Sequence, residues 1–474
     1  MTRFIELFKP VQRFFPDVKS PERKVNFNEK LFWTGIVLIV YLVMCEIPLY
    51  GLGKLGAEDP FGALRIIFAS QRGTLMELGI GPIVTGGLIL QILAGSKMIN
   101  VDFTKSEDKS LFTTATKFLA VLMTIFEASA FILGGAYGKL SLQASFVILL
   151  QLIAAGIIII LLDELLQKGW GVGSGISLFI AAGVAQRIWW DCVAPMGPME
   201  DGKYYGILIA LAQSLWAGQG LGSILSRGGG RPDVIGLVTT LAVFVVIIFL
   251  TALRVEIPVS YAKYRGFRGK FPIKLLYVSN IPVIFAAALF GNIYFISNIL
   301  WLKYNQNPPN GNFWLNLIGQ FNPKGEARNP IGGLAYYVIP PRGLEALAQD
   351  PARAVAYVLL MIAACVFFAV TWVEVGGMDA KTVAKQLIDS GMQIEGFRRS
   401  HTPIQQILSR YIPTVTILGG LIVGAIASIA DFLGAFGSGM GILLTVGILE
   451  QYYQLLVQER ITEIYPAARA LLGK

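Results

Sequence analysis

Long apolar runs alternate with short polar stretches along the whole chain. Charge-free runs occur at 78–96, 145–162, 169–186, 234–253, 275–302, 354–373, 411–430 and 432–449. A helix needs about twenty apolar residues to cross the hydrocarbon core of a bilayer, and these runs are of that order. Two more each carry one acid, 31–50 with Glu46 and about 112–137 with Glu127. The pattern predicts an all-α membrane protein with ten transmembrane helices. The runs are continuous rather than alternating, which excludes a β-barrel, and open strand edges are not viable at membrane depth. Three segments do not fit simple spans. Residues 57–72 are too short to cross, 203–226 read as an interfacial helix followed by the link GGGRP, and 303–352 are rich in Asn, Pro and Gly.

Ten spans put both termini on one side. The loops on that side then carry 26 of the chain's 39 basic residues, and the excess assigns them to the cytosol. Loop 254–274 alone has six basic residues against one acid, Glu256. The middle of the chain, near residue 230, separates five spans from five. An odd number per half inverts the second half relative to the first, and a translocation path is expected at the interface between them. The halves share no obvious sequence period. The expected organisation is a cytosolic segment 1–30, a first half 31–230 with the non-spanning piece at about 59–72, a second half 231–458 and a cytosolic tail 459–474.

Composition agrees with lipid as the solvent. Hydrophobic residues make up 54% and charged residues 15% of the 474, where a soluble domain averages about 25% charged. Cys45, Cys192 and Cys365 lie far apart with no CxxC spacing, and His401 is the single histidine. Neither a disulfide framework nor a metal centre is expected, and no cofactor. GLGKLG at 51–56 matches a nucleotide-binding spacing but follows a membrane helix, so it reads as a turn. GWGVGSG at 169–175 lacks the GK[ST] ending of a phosphate loop, and no HExxH or GxSxG is present. A channel or transporter is favoured over an enzyme, with any driving energy supplied by another component. The N-terminus lacks the apolar core of a cleavable signal, so the first span is expected to act as its own.

Six stretches carry a specific resemblance: PERKVNFNEKLFWTG, RGTLMELGIGPIVTGG, LLDELLQKGWGVGSGISLFIAAG, FPIKLLYVSNIPVIFAAALF, KQLIDSGMQIEGFRRS and DFLGAFGSGMGILLTV. In this order, in a ten-span protein, they resemble the SecY family of protein translocase subunits, which includes the α subunit of the endoplasmic-reticulum translocon. GIGPIVTGG, the FEA around Glu127 and the ending EIYPAARALLGK look closest to archaeal members. That implies the cell membrane of an archaeon, with the endoplasmic reticulum as the alternative.

The resemblance implies roles position by position. A pore ring of apolar side chains falls on Ile80, Val84, Ile176, Ile180, Ile284 and Leu444. Stiff uncharged side chains suit a constriction that excludes ions by dewetting yet yields around a passing chain. The same residues are ordinary filling for membrane helices, and only the motif matches single them out. Glycines flanking the ring are expected either to let helices shift or to let them pack tightly. Thr85, Glu127 and Asn292 match the polar positions of a lateral gate. An acid at a helix centre is costly, so Glu127 should face the protein interior, as a gate residue or as glue between helices. Eukaryotic relatives commonly carry Gln there. Glu46 and Glu77 read as structural. Phe61, Leu64, Ile66, Ile67 and Phe68 fall in the plug, a short helix that seals the outer funnel. Lys263, Arg265, Arg268, Lys270, Arg398 and Arg399 match ribosome-docking loops. Cationic loops suit RNA phosphates, and cytosolic topology by itself also attracts such charges.

The implied function is a gated, protein-conducting channel that recognises signal sequences and releases membrane helices sideways into lipid. The implied partners are SecE (the γ subunit), a small β subunit, the translating ribosome, signal peptides with their nascent chains and, in some assemblies, a second copy. The rival reading is a secondary transporter of a small solute, which would need a polar constellation at the midplane. An intramembrane hydrolase is weaker still, for lack of paired acids or a nucleophile-base motif.

Overall fold

A computed structural model describes residues 4–10, 16–52, 65, 68–96, 98–99, 101, 105–133, 137–138, 140–199, 201–218, 222–227, 231–261, 267–278, 281–304, 312–321, 330–389, 392–394 and 401–464. Every expected span appears as a helix: α1 (Phe27–Glu46), α2 (Gly81–Gly95), α3 (Ser106–Leu133), α4 (Leu142–Leu165) and α5 (Gly175–Val193) in the first half. After the interfacial α6 (Ile207–Trp216), the second half continues with α7 (Val234–Ala252), α8 (Ile281–Tyr304) and α9 (Pro351–Val375). The short α10 (Ala380–Asp389) precedes the last two spans, α11 (His401–Phe432) and α12 (Gly439–Ile464). Their starts are chemically marked. Ser141 caps α4 by accepting from the Ala144 amide at 3.2 Å, Asp233 caps α7 through the Gly236 amide at 2.6 Å, and Pro351 opens α9.

Among the described residues, nine helices are long and apolar enough to cross a membrane. The tenth span, α2, has only 15 residues, about 22 Å at 1.5 Å per residue against a core of about 30 Å. The apolar run that begins at residue 78 is therefore not helical at its start. Residues 70–80 form tight turns, with the Ile80 amide donating to Phe68 O at 2.8 Å and the Gln71 amide to Met76 O at 2.9 Å. Tyr41 on α1 closes the turn by donating to Ala69 O at 3.2 Å. Irregular backbone is tolerated at this depth because protein, not lipid, surrounds it.

Two other spans start later than their apolar runs, for one shared reason. The glycine-rich stretch before α5 is a turn, with Gly169 and Gly173 at φ +99° and +75°. Asp163 at the end of α4 takes the Ser174 hydroxyl at 2.9 Å and the Ile176 amide at 3.1 Å, while Thr34 of α1 takes the Val172 amide at 3.0 Å. Before α12, Gly434 and Gly437 take φ +70° and +72°. There Asp431 at the end of α11 takes the Gly439 amide at 2.7 Å, and Thr240 of α7 takes the Phe436 amide at 2.9 Å. Both turns end in Gly-Ser-Gly, at 173–175 and 437–439.

The halves meet across α2, which packs on α3 within its own half and on α8 and α9 of the other. Helix α12 packs on α5 as well as on α7 and α11. Gly86 permits the tight α2–α3 contact, since a Cβ there would sit 2.8 Å from the Ala120 amide nitrogen. Outside the spans the chain is not purely helical. Strands β1 (Arg254–Tyr261) and β2 (Phe267–Lys274) form an antiparallel hairpin. In the stretch 303–352, β3 (Gln320–Phe321) and β4 (Pro330–Gly332) pair between short helices. Strand β5 (Met392–Ile394) then adds to β1, with Val259 opposite Ile394 and Tyr261 opposite Met392. The stretch 203–226 is not a single interfacial helix: α6 ends at Trp216, and one further turn of helix spans Gly222–Leu225.

Candidate pore, gate and docking surfaces

The six ring positions come from four helices, two in each half. Ile80 is the residue that precedes α2, and the Val84 amide donates back to its carbonyl at 3.0 Å, so the two side chains rise from one face one turn apart. Ile176 and Ile180 open α5, Ile284 lies in the first turn of α8, and Leu444 in the second turn of α12. All six belong to one apolar cluster. Ile80, Ile180 and Leu444 are fully buried, Val84 nearly so, and Ile176 and Ile284 are half-buried against them. Tyr41 and Phe179 stack in the same cluster with ring centroids 4.7 Å apart.

The polar gate positions also converge. Asn292 of α8 donates its side-chain amide to the Thr85 hydroxyl of α2 at 3.1 Å, which ties the two halves together. Beside them a cavity of about 40 Å³ is lined by Thr85, Glu127, Asn292, Phe68, Arg65 and Glu77, among others. That is room for a few waters. Glu127 faces this cavity and not lipid. It is 8% exposed, and its Oε1 has no hydrogen-bond partner among the described residues.

Of the plug positions, Phe61, Leu64, Ile66 and Ile67 lie outside the described residues. Phe68 is half-buried against the ring cluster, and its carbonyl is the acceptor that ends the turn before α2. Neighbouring Arg65 forms an ion pair with Glu77 at 2.7 Å, with the two side chains 11% and 1% exposed. Glu77 also accepts from the Gly73 amide. A structural reading of Glu77 thus becomes specific: it pins residue 65 to the entrance of α2.

Of the docking positions, Lys263, Arg265, Arg398 and Arg399 lie outside the described residues. The structure does join the two loops that carry them, because β5 from one pairs with β1 of the other. Arg268 sits on β2 opposite Ser260. Lys270 is exposed and its ammonium sits against Glu256 at 2.5 Å, a hydrogen bond that holds the carboxyl below its ordinary pKa. The signal for this sheet was present in the chain: the β-branched Val255, Ile257 and Val259 recur at a period of two, separated by Glu256 and Pro258.

Residues on the other side of α2 were missed by sequence reasoning. Leu88, Gln91 and Ile92 face Phe285, Phe368 and Trp372 across the halves, and a Cβ on Gly95 would meet Thr371 Cγ2 at 2.6 Å. Gln91 Oε1 is buried here with no hydrogen-bond partner among the described residues. A lone amide inside the run GGLILQILAG is the signal that marks it. The seam between α2 and the second half is therefore apolar along one stretch of α2 and hydrogen-bonded along another.

A family model described as SecY matches residues 74–453, and one described as the plug domain of Sec61p matches residues 39–73. Solved structures resemble the chain over nearly its full length. One described as a protein-conducting channel is 38% identical with a TM-score of 0.80, covering 97% of this chain and 98% of its own. A second, from work on the SecY plug domain and the closed state of the channel, is 38% identical with a TM-score of 0.79 and the same coverage. A third is Sec61 from a canine ribosome–channel complex of the endoplasmic reticulum, 39% identical with a TM-score of 0.78, again covering 97% and 98%.

Proposed function

The chain belongs to the SecY family, and from that premise we propose how its own residues conduct and gate polypeptides. The family is one of multi-pass, protein-conducting membrane channels with a plug. In our reading Ile80, Val84, Ile176, Ile180, Ile284 and Leu444 form the constriction, and residues 59–72 seal it from outside. The supporting observation is that four helices from two halves bring all six into one uncharged cluster. Such a waist carries no fixed charge to shed when a chain passes, and it is too apolar to hold a column of water when closed. A small-solute transporter would need a polar binding constellation at that position.

The lateral gate runs along α2 and α3 on one side and α8 and α9 on the other. Its closure uses the Thr85–Asn292 hydrogen bond and the apolar seam beside Gln91. Interhelical hydrogen bonds in membranes average about 0.6 kcal/mol, so a signal helix inserting between α2 and α8 has little polar energy to overcome. Glu127, facing the gate cavity, supplies a polar edge that such a signal meets. Arg65 and Glu77 hold the plug segment to the start of α2, so movement of α2 is transmitted to the plug.

Outside the membrane, the β1–β2–β5 sheet joins the two basic loops, with Arg268 and Lys270 on β2, and we assign Lys263, Arg265, Arg398 and Arg399 of the same loops to docking with them. This shared base suits a ribosome, the partner of the canine Sec61 relative. A SecE-like γ subunit, a small β subunit and possible self-association complete the expected assembly. Driving force comes from such a partner, and the chain performs no reaction of its own. Replacing the six ring residues with Ser and recording ion conductance in planar bilayers tests the central point. The closed channel should become leaky, and unchanged conductance sinks the ring assignment.

A further inference from the structure

At the outer ends of the helices, the tip of α5, residues 226–227 and 231–233, the corner 342–344 and the turn 431–437 line a cavity of about 150 Å³. Its charged lining is mixed, and hydrogen-bonding capacity decides what it can hold. Each acid is already engaged. Asp191 is met by Arg187 at 3.3 Å and by the Tyr205 hydroxyl at 3.1 Å. Asp233 caps α7, while Asp431 caps α12 and accepts from the Tyr357 hydroxyl at 3.4 Å. Among the cations, Arg227 spends its donors on Asp201 and on the carbonyls of Tyr204, Tyr205 and Pro232. Arg231 reaches Asp201 at 4.0 Å.

Arg342 differs from these. It is exposed and lines the cavity, and no hydrogen bond or ion pair joins it to any described residue. It lies within electrostatic reach of Asp191 and Asp431, which line the same cavity. The unfilled capacity here is thus a planar fork of N–H donors, which calls for an anionic ligand rich in acceptors. Phosphate matches that fork bidentately. Depth adds a second constraint. Trp189 and Trp190 lie on α5 between Arg187 and Asp191 and are 69% and 44% exposed. Exposed tryptophans at a span's end mark the headgroup level of the bilayer.

We propose that this outer cavity binds a phosphate group, with Arg342 as the principal donor and Arg187 at the rim. The group comes either from an outer-leaflet phospholipid or from free phosphate. The ligand would bridge α5 of the first half and the 342–344 corner of the second, on a surface separate from the gate seam, and the inference does not depend on the gate assignments. Native mass spectrometry of the full chain in mild detergent tests it with three probes: a phospholipid, a neutral glycolipid with the same tails, and inorganic phosphate alone. The phospholipid should be retained and the glycolipid not. Arg342→Gln should weaken retention at least tenfold, Arg342→Lys should fall between, and Lys381→Gln on the cytosolic side should match the parent. Binding of inorganic phosphate that Arg342→Gln abolishes, without lipid retention, assigns the same site to the free ion. Equal retention by Arg342→Gln in a variant with parental thermal stability overturns the proposal, and so does equal uptake of the glycolipid.

Discussion

The turn between α4 and α5 and the turn between α11 and α12 are built to one plan. In each, a threonine on the half's first helix, Thr34 or Thr240, accepts an amide two residues before the serine of Gly-Ser-Gly. In each, that threonine also donates to the carbonyl four residues back, Lys30 O or Gly236 O. A buried carboxylate, Asp163 or Asp431, caps the following helix. Even the packing against the first glycine corresponds: a Cβ on Gly173 would strike Tyr452, and one on Gly437 would strike Ile188. Tyr452 and Ile188 each stand thirteen residues after the glycine that starts their helix.

The surroundings differ. At the cytosolic turn the Tyr452 hydroxyl donates to Ser174 O at 2.8 Å, across the halves. Next to Asp163, Glu164 is met by Lys117 at 2.6 Å and Lys168 at 3.4 Å. At the outer turn Ile188 has no hydroxyl to offer, and the turn borders the Arg342 cavity. One local solution to reversing a chain between membrane helices thus serves in both inverted halves. The cytosolic copy is closed by a hydrogen bond and lysines, and the outer copy is left open to a ligand-sized space.

Substitutions can break this correspondence or sharpen it. The largest effect is expected at the third residue of the triplets. A Cβ on Gly439 would lie 2.1 Å from Ala427 O, and one on Gly175 2.7 Å from Asp163 Cα. Gly439→Ala should cost about 3 kcal/mol or more and Gly175→Ala somewhat less, since forced overpacking typically costs about 1–3 kcal/mol. Thermal unfolding in detergent reads the difference, and a parental melting temperature for Gly439→Ala would contradict the geometry. Next come the caps. Asp163→Ala and Asp431→Ala should each lose about 1–3 kcal/mol by stranding buried donors. The loss should be greater for Asp163, which also accepts from Gln167 at 2.7 Å. Thr34→Val and Thr240→Val keep the shape and remove one acceptor, so each should lose about 1 kcal/mol. Unequal losses would show that the two turns are alike in form but not in energy. The smallest effect belongs to Tyr452→Phe, about 0.6 kcal/mol. Its signature is functional: the two halves lose a tie on the cytosolic side, so ion leak should rise at nearly unchanged stability.

The spans were legible because burying a helix in lipid demands long apolar runs, which is a one-dimensional property. Glu127 was legible as interior-facing for the same reason, and the structure turns it to a cavity. The start of α2 was not legible. Residues 78–80 are as apolar as any span, and only the Phe68 carbonyl from the preceding segment takes the amide that a longer helix would have used. Asp163 and Asp431 directly follow the apolar runs 145–162 and 411–430, and in the structure they cap the next helices. The basic loops were visible as charge, but their union through β1 and β5 was not, because strand pairing joins residues more than 130 positions apart.

Hydrophobic patterning determined the ten helices and their division into five and five, because each follows from transfer between water and lipid residue by residue, and the distribution of basic residues assigned the cytosolic side. Tertiary structure alone decided where helices begin, which polar groups meet across the halves, and that Arg342 faces a cavity. Those depend on hydrogen-bond partners distant in the chain, and at membrane depth every backbone N–H and C=O must find one.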